Sequence, residues 1–226
     1  MKLIAVMLAS FSILVVCSAA DSDQPDAIEL LSQIKSNLRK EAAIRVVFRQ
    51  ETYSALTETA TLATGTLTLK ENGQLRWQYD GADAHYFIIC DGRLLLIQPK
   101  DKQAFLGELE ASFDQRLPLA FLFRDYPLQT HYTCTATREN GQQKGWRVDM
   151  IPVETNPQVS SIEIYARSDL TMRSVIINDQ IGNKNSYFFD TAVTIVPPPE
   201  INLNVPTGFQ LLDFQGEPIT NRSAAE

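Results

Sequence analysis

The stretch from Gly65 to Gly107 reads GTLTLKENGQLRWQYDGADAHYFIICDGRLLLIQPKDKQAFLG, and its hydropathy has a period of two. Leu67 and Leu69 alternate with Thr66 and Thr68, and Leu75, Trp77 and Tyr79 alternate with Gln74, Arg76 and Gln78. Such alternation, rich in aromatic residues, predicts strands with one apolar face. Glu71-Asn72-Gly73, Asp80-Gly81, Asp91-Gly92 and Pro99-Lys100-Asp101 separate the strands. Glycine supplies positive φ and Asp or Asn folds back on its own backbone, so each break is a tight reversal. Links this short join antiparallel neighbours. The stretch is therefore expected to be a meander of about five strands.

Within it, Ala84–Cys90 (AHYFIIC) and Leu94–Ile97 (LLLI) lose the alternation and become apolar on both faces. An antiparallel sheet commonly wets one side. Here both faces need cover.

Met1–Ala20 is read as a signal peptide: Lys2 is the basic region, Leu3–Val16 the apolar run and Ser18-Ala19-Ala20 the cleavage site. The run is too short to span a bilayer, which takes about 20 residues. An acylated Cys17 is the rival reading, but Val16 stands before it, where a lipoprotein signal has a small residue. Residues 21–226 are long enough to form a single domain that buries about 70% of its unfolded surface. The formal net charge of −7 and pI near 4.9 argue against nucleic acid and anionic membrane surfaces as main partners. Removal of Cys17 with the signal leaves Cys90 and Cys134 in an oxidising compartment. They are either a disulfide or two small buried apolar side chains, because spacing alone does not supply the geometry of a bridge.

Asp26–Lys40 reads as an amphipathic helix: Ile28, Leu31, Ile34 and Leu38 recur at helical spacing, and Lys35, Arg39 and Lys40 gather at its end. Strands are expected at Ile44–Tyr53 and Thr57–Lys70, with the helix covering a face of the meander. A second cover is expected in Glu110–Tyr126, whose centre, Leu117–Phe123, is apolar on every side. A short helix without a polar face is buried all round or meets an apolar ligand. Further strands are expected at Thr130–Arg138, Gly145–Ile151, Ser160–Ala166, Met172–Asn178 and Ser186–Val196. Ile201–Asp213 is expected as a closing edge segment. The total is about ten or eleven antiparallel strands.

No catalytic motif is present: the chain lacks G-x-S-x-G, H-E-x-x-H, a Walker loop and a dinucleotide fingerprint. His85/Cys90 and His131/Cys134 are separated by odd intervals, which on a strand puts the members of each pair on opposite faces. Excess apolar surface over a sheet favours holding a hydrophobic ligand over catalysis, with a simply well-filled core as the alternative.

Phe48–Gln50 (F-x-Q), Gly65–Lys70 (G-x-L-x-x-K), Leu75–Trp77 (L-x-W), Asp91–Gly92, Pro118–Arg124 and Val205–Phe209 (V-P-x-G-F) occur in an order that resembles the LolA family of periplasmic lipoprotein carriers. The resemblance runs from Asp26 to Asp213. It implies a mainly β (α+β) fold, an incomplete antiparallel β-barrel of about eleven strands with a helical lid enclosing a hydrophobic cavity. It implies a monomeric periplasmic chaperone, not an enzyme and without a cofactor. Such a protein takes acylated lipoproteins from an inner-membrane lipoprotein-releasing transporter to an outer-membrane lipoprotein acceptor. Leu75 and Trp77 match family residues that line the cavity; Leu67, Leu69 and Tyr79 share that side by parity, and Phe48 opens the first motif. Leu117, Leu119, Phe121, Leu122 and Phe123 match the lid. A carrier-like paralogue serving as a lipid or lipoprotein sensor, receptor or regulatory interaction module is the alternative.

One position departs. After G-x-L-x-x-K the family has Arg and Pro, the Arg donating hydrogen bonds that hold the lid closed, whereas this chain has Glu71 and Asn72. A carboxylate cannot donate. Two readings follow: a latch of reversed polarity, with Glu71 accepting from Arg116 or Arg124, or an exposed turn residue and no latch.

Overall fold

In the computed structural model, which describes residues 25–109, 127–141 and 144–219, the first element is helix α1 (Ala27–Leu38). The Asp26 side chain caps it by accepting from the Ile28 amide at 2.8 Å, so one orphan donor of the first turn is satisfied. Leu30, Leu31, Ile34 and Leu38 form its buried stripe, and Lys35 lies in the last turn.

Two long strands follow, β1 (Ala43–Ser54) and β2 (Thr59–Lys70), then β3 (Leu75–Tyr79), β4 (Tyr86–Cys90), β5 (Arg93–Gln98) and β6 (Gln103–Glu108). Each of these pairs antiparallel with the next. Between β4 and β5, Asp91 and Gly92 both have positive φ (51° and 76°), the backbone of a tight hairpin turn that matches strand twist. The meander is as expected from its alternation and turn residues.

The second half holds a short helix α2 (Leu128–His131) and strands β7 (Tyr132–Glu139), β8 (Gly145–Pro152), β9 (Ser161–Arg167), β10 (Met172–Asn178), β11 (Lys184–Phe189), β12 (Val193–Thr194) and β13 (Gln210–Leu212). The main order is β13-β6-β5-β4-β3-β2-β1-β11-β10-β9-β8-β7, with β12 also on β1. The sheet is open, with β13 and β7 at its ends, as an incomplete barrel requires.

Three details differ from the sequence reading. The described residues form thirteen strands, not about eleven. The expected strand Ser186–Val196 is two, because β11 pairs β1 up to Phe48↔Phe189 and β12 pairs it again at Ile44↔Thr194. Finally, β13 lies parallel to β6, a long return that local patterning does not encode.

The sheet has two apolar faces. The inner face carries α1 together with Phe48, Leu67, Trp77, Ile164, Val175 and their neighbours. The outer face of β4, β5 and β6 presents Ile88, Cys90, Leu95, Ile97, Ala104 and Leu106. Among the described residues its cover is not α1 but a segment near the C-terminus. Ile201 and Leu203 close it, with Val205, Phe209 and Leu211 packed alongside. Cys90 is buried there and free, and its thiol donates to the Ile201 carbonyl at 3.6 Å. Cys134, also free, is half-buried on β7 against the inner cluster, so the two do not pair.

Candidate functional site

Alternation along each strand places one row of side chains after another on the inner face. One row runs Phe105, Leu96, Phe87, Trp77, Leu67 and Val46 across β6 to β1. The next joins Leu94, Ile89, Leu75, Leu69 and Ile44. Phe48, Leu67, Leu69, Leu75, Trp77 and Tyr79, the candidates of the sequence, are thus brought onto one continuous face.

Aromatic rings gather at its centre. Phe48 lies 4.9 Å from Trp77 and 5.1 Å from Tyr79, the latter edge-on at 84°. Trp77 meets Tyr187 at 5.6 Å and Phe189 at 6.4 Å. Offset and edge-on rings at these separations gain beyond plain burial. Sequence reading missed Tyr187 and Phe189. Their run, Ser186-Tyr187-Phe188-Phe189, has three aromatics in succession, so parity cannot be read from it.

The apolar face ends in a polar belt. The Tyr79 hydroxyl donates to Gln50 Oε1 at 2.7 Å; Gln50 Nε2 donates to Thr52 Oγ1 at 3.1 Å and Asn185 Oδ1 at 3.3 Å. Thr52 Oγ1 donates to Asn185 Oδ1 at 2.7 Å. Burial, and after it the neighbouring Tyr187, pushes the Tyr79 phenol above its ordinary range. Burial likewise raises Tyr187 to about 12. Both rings are neutral hydrogen-bonding groups at any physiological pH.

The face is closed. Phe48, Leu67, Leu69, Leu75 and Trp77 are each at most 3% exposed. An open groove of about 730 Å³ runs between α1 (Ile28, Leu31, Lys35) and Pro127–Gln129, whereas the void between Ile34, Leu38, Val46, Met172 and Phe189 on the inner face is about 40 Å³. That is room for about one water-sized group, not an acyl chain. Asn37 Nδ2 ties α1 to the Asp169 carbonyl of the β9–β10 turn at 3.1 Å. Among the described residues no helix is long and apolar enough to cross a membrane.

The other candidates divide. Leu117, Leu119, Phe121, Leu122 and Phe123 of the expected lid, and Arg116 and Arg124 of the expected latch, lie outside the described residues. Glu71 is exposed, because β2 ends at Lys70 and the chain turns before parity can carry its side chain inward. Its amide donates to the Ala42 carbonyl at 3.2 Å.

The family model described as outer membrane lipoprotein carrier protein LolA matches residues 39–201. No curated protein matches the chain in sequence. Among solved structures, an uncharacterized conserved protein from Thermus thermophilus superposes with a TM-score of 0.56 at 8% identity, over 83% of this chain and 98% of that one. A LolA superfamily protein from Nitrosomonas europaea has a TM-score of 0.45 at 11% identity, over 77% and 96%. MucB in the Pseudomonas aeruginosa MucA/MucB complex has a TM-score of 0.45 at 15% identity, over 83% and 64%. At such identities the Thermus likeness shows the fold alone.

Proposed function

This chain belongs to the LolA family of outer membrane lipoprotein carrier proteins, and from that membership we propose that it is a periplasmic carrier of acylated lipoproteins. It takes them at the inner membrane and delivers them to an acceptor at the outer membrane, without catalysis. The observation that carries this reading is the inner face itself, an unbroken apolar surface from β6 to β1 with five aromatic rings at its centre. Each buried CH₂ of an acyl chain gains about 0.8 kcal/mol. The polar belt of Gln50, Thr52, Asn185 and Tyr79 at one end suits the ester or amide from which acyl chains hang. Because the face is buried, cargo enters only when its cover moves.

A second reading, a lipid or lipoprotein sensor on the same fold, is favoured by Glu71. Where the family has its latching arginine this chain has an exposed carboxylate. Native mass spectrometry of the protein purified from periplasm separates the two. Co-purifying lipidated protein supports carriage; an apolar-ligand-free protein that brings down a membrane regulator supports the sensor.

A further inference from the structure

The outer face of β1, β2 and β3 carries a groove of about 320 Å³ that acyl carriage does not use. Its floor is a register row, Arg45 on β1 facing Thr68 on β2, which faces Arg76 on β3. Thr66 and Gln78 continue the floor, and Pro199, Glu200 and Ile201 stand along one side as a wall. Neighbouring strands lie about 4.8 Å apart, so the two arginines straddle Thr68 with about 10 Å between their Cα atoms.

Both arginines are exposed, yet among the described residues neither forms an ion pair. Others on this face do: Arg49 meets Glu51 at 3.7 Å and Arg147 meets Asp149 at 2.7 Å. The Arg76 guanidinium rests on the Tyr86 ring at 4.5 Å, which holds its fork in the groove. Two cations flanking one strand repel each other, and among the described residues neither has a carboxylate partner to offset that repulsion. In a chain of net charge −7 their clustering is a feature of this groove, not of overall composition. Glu200 is the single carboxylate among the described lining residues, and it already accepts from Asn202 Nδ2 at 3.2 Å.

The geometry points to a docking groove for an acidic, extended segment of a partner protein, with a Glu or Asp carboxylate held between Arg45 and Arg76. Guanidinium forks grip carboxylates in a bidentate manner. Val47, which is 50% exposed, shares the adjacent row with Thr66, Gln78 and Tyr86 and offers an apolar contact for a neighbouring aliphatic residue. A groove recessed beside a wall admits a chain but not the plane of a bilayer. The negative charge of the whole chain further disfavours an anionic membrane. This surface lies on the side of the sheet opposite the apolar site, so the inference stands independently of acyl carriage.

The test is fluorescence anisotropy at low salt with a fluorescein-labelled peptide of alternating Glu and Val, against the same peptide with Gln in place of each Glu. The Glu peptide is expected to bind about tenfold more tightly, and Arg45→Ala and Arg76→Ala each to weaken it about tenfold. Arg→Lys at either site recovers part of that loss, Glu200→Gln tightens binding, and added salt weakens it. The altered side chains are exposed, so thermal unfolding of the variants should match the parent. Equal binding of the two peptides, or binding indifferent to both arginines, overturns the inference. So does arginine-dependent sedimentation with phosphatidylglycerol vesicles in place of peptide binding, which assigns the groove to a membrane.

Discussion

The Phe48 ring sits over Gly65, the residue facing it across β1 and β2. A Cβ added at Gly65 would fall 2.6 Å from two carbons of that ring and onto the Gln78 carbonyl oxygen. The position is glycine because another strand and a ring occupy the space a side chain would need. Gly65→Ala is expected to cost about 1–3 kcal/mol. It should also disturb the Phe48 contacts with Trp77 and Tyr79, so urea unfolding and near-ultraviolet circular dichroism should change together. An unaltered aromatic spectrum would mean that the ring is not wedged over Gly65.

The buried tyrosines make stability sensitive to alkali. Tyr187 has its pKa raised from 10.0 to about 12 by burial. Above about pH 10 the unfolded chain loses the phenolic proton while the folded chain keeps it, so the unfolded state binds fewer protons and stability falls with rising pH. Its contribution is whole below pH 10 and gone above about pH 12, a loss of about 3 kcal/mol. Tyr79, shifted in the same direction, adds to it. Tyr187→Phe should flatten the fall in unfolding free energy across this window, measured by urea titration at successive pH values. A slope the same as the parent's would place the alkaline sensitivity elsewhere.

The outer cover gives a third expectation. Ile201 and Leu203 are 6% and 9% exposed over the apolar outer face of β4–β6. Leu203→Ala should cost about 2–5 kcal/mol. Leu203→Asp should leave Ile88, Leu95 and Leu106 open to solvent and increase binding of an apolar dye. A variant that is destabilised without added dye binding would show that the segment stays seated and only its packing is lost.

Much of this architecture is legible in the sequence, and the exceptions have a common cause. The meander is written in alternation and in Asn72-Gly73, Asp80-Gly81 and Asp91-Gly92, all local signals. Of the described inner-face candidates, Leu75, Trp77 and Phe48 come from the family resemblance, and Leu67, Leu69 and Tyr79 follow from parity within single strands. Ile201–Leu203 escaped because an extended, proline-led segment has no periodicity, and only the demand that β4 and β5 be covered twice hinted at it. Gln50 and Asn185 meet across a separation of 135 residues, and their register comes from β1 pairing with β11. At Glu71 the exposed-turn reading holds, because the strand stops one residue before it.

Helix α1 is a described element whose movement would open the inner face, and Asn37 provides a polar tie from it to the sheet. The Asn37–Asp169 bond, 3.1 Å long and exposed, is worth about 0.5–1 kcal/mol. Breaking it removes that amount from the cost of lifting the helix end. If an acyl chain enters beneath α1, Asn37→Ala should speed uptake of a fluorescent fatty acid about two- to fivefold by stopped flow, with little change in the final affinity. Leu31→Ala, which removes a buried anchor that is 1% exposed, should speed uptake further and also lower stability by about 2–5 kcal/mol. Amide exchange over Ala27–Leu38 should accelerate in both. Faster exchange with unchanged uptake would place the entrance away from α1, leaving the carrier reading intact. A parent protein that takes up no fatty acid, even when α1 is loosened, would remove the apolar face from consideration as an acyl site.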